Sequence, residues 1–305
     1  MTAPTLSDVE TAAELIRPHV RRTPLLRATV DGRPLVLKLE HLQRTGSFKL
    51  RGALNALLSG DAPERVVTAS GGNHGLGVAT AAAILGLPAT VYVPTSAPAG
   101  KVRRIEATGA EVIRHGAGYA EAAAAALAAA RQPGTRHLHA YDDPAVIAGQ
   151  GTMTVEILSD APDTDAVVLA VGGGGLAAGA AAALGGRVPV VAVEPEGCPT
   201  LHTALAAGEP VDVAVDSGSA AASALGASRV GDLPFALLSS TPTRSVLVSD
   251  TELLAARDRL WEEFRLAVEP AAATPFAAWL AGRVDAETPC VVLCGANTDW
   301  APAGN

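Results

Sequence analysis

The chain has 305 residues, 49% of them hydrophobic and 18% charged, which is globular and able to bury a substantial core as two lobes or one large α/β unit. A net charge of −8 argues against a nucleic-acid or acidic-membrane partner, and the N-terminus lacks the basic-then-apolar pattern of a signal peptide. Three cysteines, Cys198, Cys290 and Cys294, with no C-x-x-C spacing, point to a reducing compartment, so a cytoplasmic protein is expected.

Ser7 with Glu10 has the spacing of a capping box and predicts a helix from Asp8 toward Arg17. Residues 34–40 read as a strand that leads into the turn Thr45-Gly46-Ser47-Phe48-Lys49, after which Leu50 to Leu58 is helical. Strands are predicted at 65–69, 89–93, 111–114 and 137–140, alternating with helices at 73–85, 99–108 and 121–131. The alanine run 122–130 is too short and too weakly apolar to span a bilayer and reads as a close-packed helix. After Asp142-Asp143-Pro144 come a helix to Leu158, the strand 166–171, a glycine run with a helix, and the strand 188–193. Residues from about 208 to 233, rich in Ala, Ser and Gly, read as loops. Ser249 with Glu252 opens a helix through Phe264, another follows Pro270, and 289–294 is the last strand. Strands alternating with helices of these lengths give an α/β fold of mainly parallel sheets flanked by helices. The expected division is a large domain from 1–50 and 144–305 with a small domain, 51–143, inserted in it.

Lysine is scarce: Lys38, Lys49 and Lys101 are the only three, every other fixed cation being arginine. An amine can lose its proton and attack a carbonyl, which a guanidinium cannot. Lys49 stands out because a glycine-serine turn and an aromatic residue precede it and an apolar helix follows. Three further loops sit at strand ends, where open α/β sheets bind ligands. Gly172 to Gly175 converge backbone N–H groups at a helix start and form a phosphate cradle. The same run, as Gly173-x-Gly175-x-x-Ala178 with Glu194, also imitates a dinucleotide fingerprint, and the pattern alone does not separate the two. Ser70-Gly71-Gly72-Asn73-His74-Gly75 offers a hydroxyl, an amide and exposed N–H groups to a carboxylate or a ring oxygen. Cys294-Gly295-Ala296-Asn297 closes the set.

Together these loops resemble the pyridoxal-phosphate enzymes of the tryptophan-synthase-β-like fold, specifically the serine/threonine dehydratase family. The Lys49 turn is similar to its Schiff-base motif, the Ser70 loop to its substrate-carboxylate loop, and Gly172–Gly175 to its phosphate loop. Lys38-Leu39-Glu40-His41-Leu42, 142–151, Val193-Glu194-Pro195 and Val268-Glu269-Pro270 match between them, in the family's order over nearly the whole chain. The resemblance decides the glycine run against a nicotinamide cofactor. It implies a fold of two lobes and pyridoxal 5'-phosphate held covalently by Lys49, which later acts as base at the substrate Cα. Phe48 would lie against the pyridine ring, Asn73 would bond the phenolic oxygen, the amides of Gly172, Gly173, Gly174 and Gly175 would hold the phosphate, and Cys294 would face the ring nitrogen. A thiol there cannot enforce protonation of the ring, which favours prompt loss of a β-substituent. Ser70, Gly71, Asn73 and His74 would contact the substrate carboxylate.

The implied reaction is β-elimination from a β-hydroxy amino acid such as L-threonine or L-serine, giving a 2-oxo acid and ammonia, with the small-molecule substrate as partner and a homodimer by analogy with relatives. Three departures qualify this. Gly71 replaces the serine that racemases use, so efficient racemisation is not expected. Thr200 replaces an acid of the family's cation site, so Glu194 is expected to be structural and no metal is expected. Ala222-Ser223-Ala224 replaces an Ala-Asp-Gly segment, which opens 3-hydroxyaspartate or phenylserine as alternative substrates. From another class, an NAD-linked oxidoreductase rests on the glycine run and Glu194 alone.

Overall fold

The computed structural model describes residues 2–298; Met1 and 299–305 lie outside the described residues. Helix α1 (Leu6–Ile16) begins two residues earlier than expected, because Thr5 rather than Ser7 caps it: the Asp8 carboxylate accepts from the Thr5 N–H at 2.8 Å while the Thr5 hydroxyl accepts from Asp8 N–H. Next comes a hairpin the sequence reading does not anticipate, β1 (Leu25–Val30) and β2 (Arg33–Lys38). Asp31 and Gly32, both at positive φ, supply the two-residue turn whose twist suits a hairpin. A 3-10 turn (Glu40–Leu42) then leads to α2 (Lys49–Leu58).

The alternating region follows as β3 (Arg65–Ala69), α3 (Asn73–Leu85), β4 (Ala89–Val93), α4 (Ala99–Glu106), β5 (Glu111–Arg114), α5 (Tyr119–Ala129) and β6 (Thr135–His137). The remainder is α6 (Pro144–Asp160), β7 (Ala166–Ala170), α7 (Gly175–Leu184), β8 (Val190–Pro195), α8 (Thr200–Ala207), α9 (Ala222–Leu225), α10 (Asp232–Ser240), β9 (Thr243–Val248), α11 (Asp250–Phe264), α12 (Pro270–Leu280) and β10 (Pro289–Val292). The stretch read as loops thus contains α9 and the start of α10, and β9 adds an unanticipated edge strand. The Ser249–Glu252 capping box opens α11 as expected.

Two sheets result. One is six-stranded in the order β1-β2-β10-β7-β8-β9, parallel except for the hairpin; the other is four-stranded and parallel, β5-β4-β3-β6. Every residue of β7 and β8 is buried, which explains their unbroken apolar runs: a parallel strand covered on both faces has no solvent side to alternate toward. Among the described residues no helix is long and apolar enough to cross a membrane.

The helix that carries Lys49 is fixed from behind. Side chains at Gly52 and Gly149 would collide with the facing backbone, 2.7 Å from the Val146 carbonyl oxygen and 2.6 Å from that of Arg51, so their absence lets α2 and α6 approach closely. Inside this contact the buried Arg51 guanidinium forks between two carboxylates, at 2.5 Å from Glu40 Oε2 and 2.8 Å from Glu156 Oε1, and Lys38 Nζ lies 2.6 Å from Glu156 Oε2. Two cations and two anions balance. Removing one would leave a buried charge uncompensated, which costs about 3–5 kcal/mol.

Candidate active site

The carboxyl ends of β3, β7 and β10 and the Lys49 turn face a single cleft with a volume of about 620 Å³. Every residue expected to bind cofactor or substrate lines it: Phe48 and Lys49, Ser70, Gly71, Asn73 and His74, the glycines 172–175, and Cys294. The Lys49 turn and the end of β10 are tied by backbone. Ser47 bridges Gly295, and Phe48 N–H donates to the Cys294 carbonyl at 3.2 Å.

Lys49 is the first residue of α2, and its Nζ donates to the Ala140 carbonyl at 2.7 Å while lying 5.1 Å from the centre of the Phe48 ring. Burial lowers this amine from the usual lysine range to about 8. The charged form has lost its hydration, so a sizeable neutral, nucleophilic fraction exists near neutral pH. The buried Cys294 thiol is pushed well up, first by burial and then by the Glu269 carboxylate, and stays protonated.

Opposite, β7 ends at Ala170 and α7 starts at Gly175. No amide N–H of Gly172 to Gly175 donates a hydrogen bond to the described residues. Tyr141 explains part of the glycine requirement, because a Cβ on Gly173 would sit 2.3 Å from its ring and one on Gly175 2.8 Å from its Cβ. Gly174 adopts φ +93°. Unpaired donors at a helix start form an anion site.

Asn73 and His74 open α3. The Asn73 side chain is oriented at both ends: its Nδ2 donates to Glu269 Oε1 at 2.7 Å, and its Oδ1 accepts from Asn297 Nδ2 at 2.7 Å. Asn297 Nδ2 also donates to the Thr45 carbonyl at 2.8 Å, which locks the chain of amides. One Nδ2 proton of Asn73 remains for a ligand. The Ser70 hydroxyl accepts from Gly72 N–H at 3.2 Å. Burial first, and Lys49 second, hold His74 well below the usual histidine range, so its ring is neutral. With Nε2 against the Leu138 carbonyl at 3.2 Å, the ring proton is committed there, and the buried Nδ1 is an acceptor without a partner. Any donation from His74 to an anion therefore comes from its main-chain N–H.

Glu194 is not at the cleft. Its carboxylate accepts the N–H groups of Leu201 at 2.7 Å and His202 at 2.8 Å at the start of α8, and burial raises it to about 7. A group so engaged is not presented to a ribose, which removes the second half of the dinucleotide fingerprint. No cluster of metal-ligating side chains occurs among the described residues. Sequence reasoning gave no cleft role to Glu269, Tyr141 and Lys101, which line it, or to Asn297, which orients Asn73 from beside it. Glu269 and Asn297 stand within motifs already noted, whereas Tyr141 and Lys101 carry no local signal.

A paired-sheet α/β protein with a half-buried amine and a glycine anion cradle lining one cleft is the architecture of an enzyme that holds a phosphorylated aldehyde. The chain belongs to the pyridoxal-phosphate dependent enzyme family, whose model matches residues 16–295. It is 39% identical over 304 residues to the L-threonine ammonia-lyase of Geobacter sulfurreducens, covering 95% of this chain and 75% of that one. It is 33% identical over 308 residues to the serine racemase of Arabidopsis thaliana, covering 95% and 92%. The solved structure of the T.th. threonine deaminase superimposes with a TM-score of 0.91 at 37% identity, covering 98% of this chain and 100% of that one. The protein is thus a pyridoxal-phosphate-dependent enzyme of the tryptophan-synthase-β-like fold. Its donor set suits the cofactor: free amides for an anion, a shifted amine for an aldehyde, and a neutral thiol deep in the cleft.

Proposed function

We propose that this protein dehydrates and deaminates L-threonine or L-serine to the 2-oxo acid and ammonia. The observation that carries the reading is the meeting, in one cleft, of the Lys49 amine, the open amides of Gly172–Gly175, the Cys294 thiol and the start of α3. Bound pyridoxal phosphate supplies a ring that accepts the electron pair left at the substrate Cα when its proton is removed. Lys49 would hold the cofactor through its amine, and the same amine would take the proton from the substrate Cα. The amides of Gly172, Gly173, Gly174 and Gly175 would hold the phosphate, Phe48 would pack on the ring, and Asn73, oriented by Glu269 and Asn297, would donate its remaining Nδ2 proton to the phenolic oxygen. The Cys294 thiol would face the ring nitrogen and, staying protonated, would not force a proton onto it. Ser70 and the main-chain N–H groups of Gly71, Asn73 and His74 receive the carboxylate. Overall the substrate loses water from Cα and Cβ, then takes up one water as the nitrogen departs as ammonium, so the atoms balance.

The relatives with this activity in their names, and the threonine deaminase structure, support the substrate class. Ala222–Ala224 line the cleft without an acid, which keeps 3-hydroxyaspartate and phenylserine as a second reading. Gly71 provides no side chain to donate a proton, which supports elimination over racemisation despite the racemase relative. The division into 1–50 with 144–305 and 51–143 belongs to the same proposal: β3 to β6 fall in the inner segment and the other six strands outside it. A cytoplasmic homodimer is the accompanying expectation. The test is a panel of β-hydroxy amino acids read by 2-oxo acid formation, with chiral analysis of the recovered substrate. Threonine or serine turnover without racemisation is expected; a yellow protein inert toward both overturns the assignment.

A further inference from the structure

An amino acid brings a carboxylate to the cleft, yet the loop 70–74 offers it no charge, since its donors are neutral and the His74 ring proton is turned to Leu138. A cation does stand beside that loop. Lys101, in the first turn of α4, lines the cleft together with Gly71, Gly72 and Asn73. The other two lysines are occupied, Lys38 with Glu156 and the Thr23 carbonyl and Lys49 with the Ala140 carbonyl. The Lys101 ammonium has no hydrogen bond or ion pair within the described residues. One turn on, Arg104 lines a water-sized hollow that shares Gly71, Gly72, Asn73 and Lys101 with the cleft. Its guanidinium lies 3.4 Å from Asn297 Oδ1, and Asn297 in turn donates to Asn73. Burial raises the Glu269 carboxyl in the cleft wall, and both cations act against that shift, so their field already reaches the site.

We propose that Lys101 is the specificity-determining cation that recognises the substrate's α-carboxylate, with Arg104 adding to the same positive end of the cleft. A half-buried ammonium about 4 Å from an anion is worth about tenfold in affinity at an effective dielectric of about 60, between that of a protein surface and water. Helix α4, on the four-stranded side, thereby becomes a substrate-binding element. The identity of the ligand as an amino acid rests on the function proposed above.

The test uses the holoenzyme and its Lys101→Met and Lys101→Arg variants, with folding checked by circular dichroism. The KM for L-threonine should rise about tenfold in K101M and stay within about threefold in K101R. Titration of cofactor absorbance separates carboxylate recognition from a general effect: K101M should weaken L-alanine about tenfold and leave L-alaninamide unchanged. In the wild type, raising salt from about 0.05 to 0.5 M should weaken L-alanine, and this slope should flatten in K101M. Equal loss for alanine and alaninamide, no loss for either, or a wild-type affinity insensitive to salt overturns the inference. The wild-type slope decides even if K101M does not fold. If wild type fails to turn over threonine or serine while K101M weakens L-alanine and leaves L-alaninamide unchanged, the proposed reaction falls and the role of Lys101 stands.

Discussion

Two alanine-rich helices flank the cleft and meet opposite fates. In α7 all residues from Gly175 to Leu184 are buried, whereas in α5 only Ala122 and Ala126 are, and the alanine run expected to be close-packed shows solvent on its other faces. The compositions are nearly the same; the neighbours differ. Helix α7 lies among α6, α1, α10 and the six-stranded sheet, while α5 rests by one face on β3 and β4, the central strands of the four-stranded sheet. The wall that presents the glycine cradle is therefore part of the largest core, and the wall that carries Lys101 and the exposed Tyr119 is a surface element. A cradle built into the core keeps its amides pre-aimed. A surface wall has fewer contacts to break when it adjusts to a substrate.

The largest expected effect is at Lys49, which faces both walls. Lys49→Ala should abolish covalent cofactor retention, read as loss of the absorbance that borohydride would otherwise bleach and fix, with turnover falling by at least about a thousandfold. Next comes the core wall: Gly173→Ala would drive a methyl into the Tyr141 ring, and about 1–3 kcal/mol of destabilisation is expected with weaker cofactor binding, measured by denaturant melts and equilibrium dialysis. The direct contrast is Ala180→Leu against Ala124→Leu. The first overpacks a buried site and should cost about 1–3 kcal/mol, the second sits on the exposed face of α5 and should stay within about 0.5 kcal/mol. Similar melting shifts for the two would erase the distinction drawn between the walls.

The smallest effect is in pH. Because burial lowers the Lys49 amine to about 8 from the ordinary lysine value of 10.5, the unfolded chain binds more protons than the folded one between those values. This contribution raises the stability of cofactor-free protein as pH climbs through that window, and it is lost as pH falls back toward 8. The rate of covalent capture of added pyridoxal phosphate should rise with a midpoint near 8, and a midpoint near the ordinary lysine value would mean the amine is solvated.

Several parts of the site are legible in the sequence. A glycine-serine turn before a lysine, four glycines between a strand and a helix, and Ser-Gly-Gly-Asn-His at a strand end each act through local backbone geometry, so their residue types carry the signal. The hairpin turn at Asp31-Gly32 is equally local, since an Asp-Gly pair between apolar runs carries its own turn signal. The stretch that holds α9 and the start of α10 is not legible, because Ala, Ser and Gly give no period, and those short helices owe their form to the core they cover.

Turn chemistry and apolar runs were enough to say which loops gather at strand ends, which amine is chemically special, and that parallel sheets carry them. Chain order could not say that Glu269 and Asn297 orient the Asn73 amide, that the His74 proton is turned away to Leu138, that Glu194 is tied up at α8, or that Lys101 stands beside the Ser70 loop. Those four facts came from the packed molecule. All but the Glu194 contact join groups far apart in the chain, and a hydrogen bond or a Coulomb field is set by distance in space.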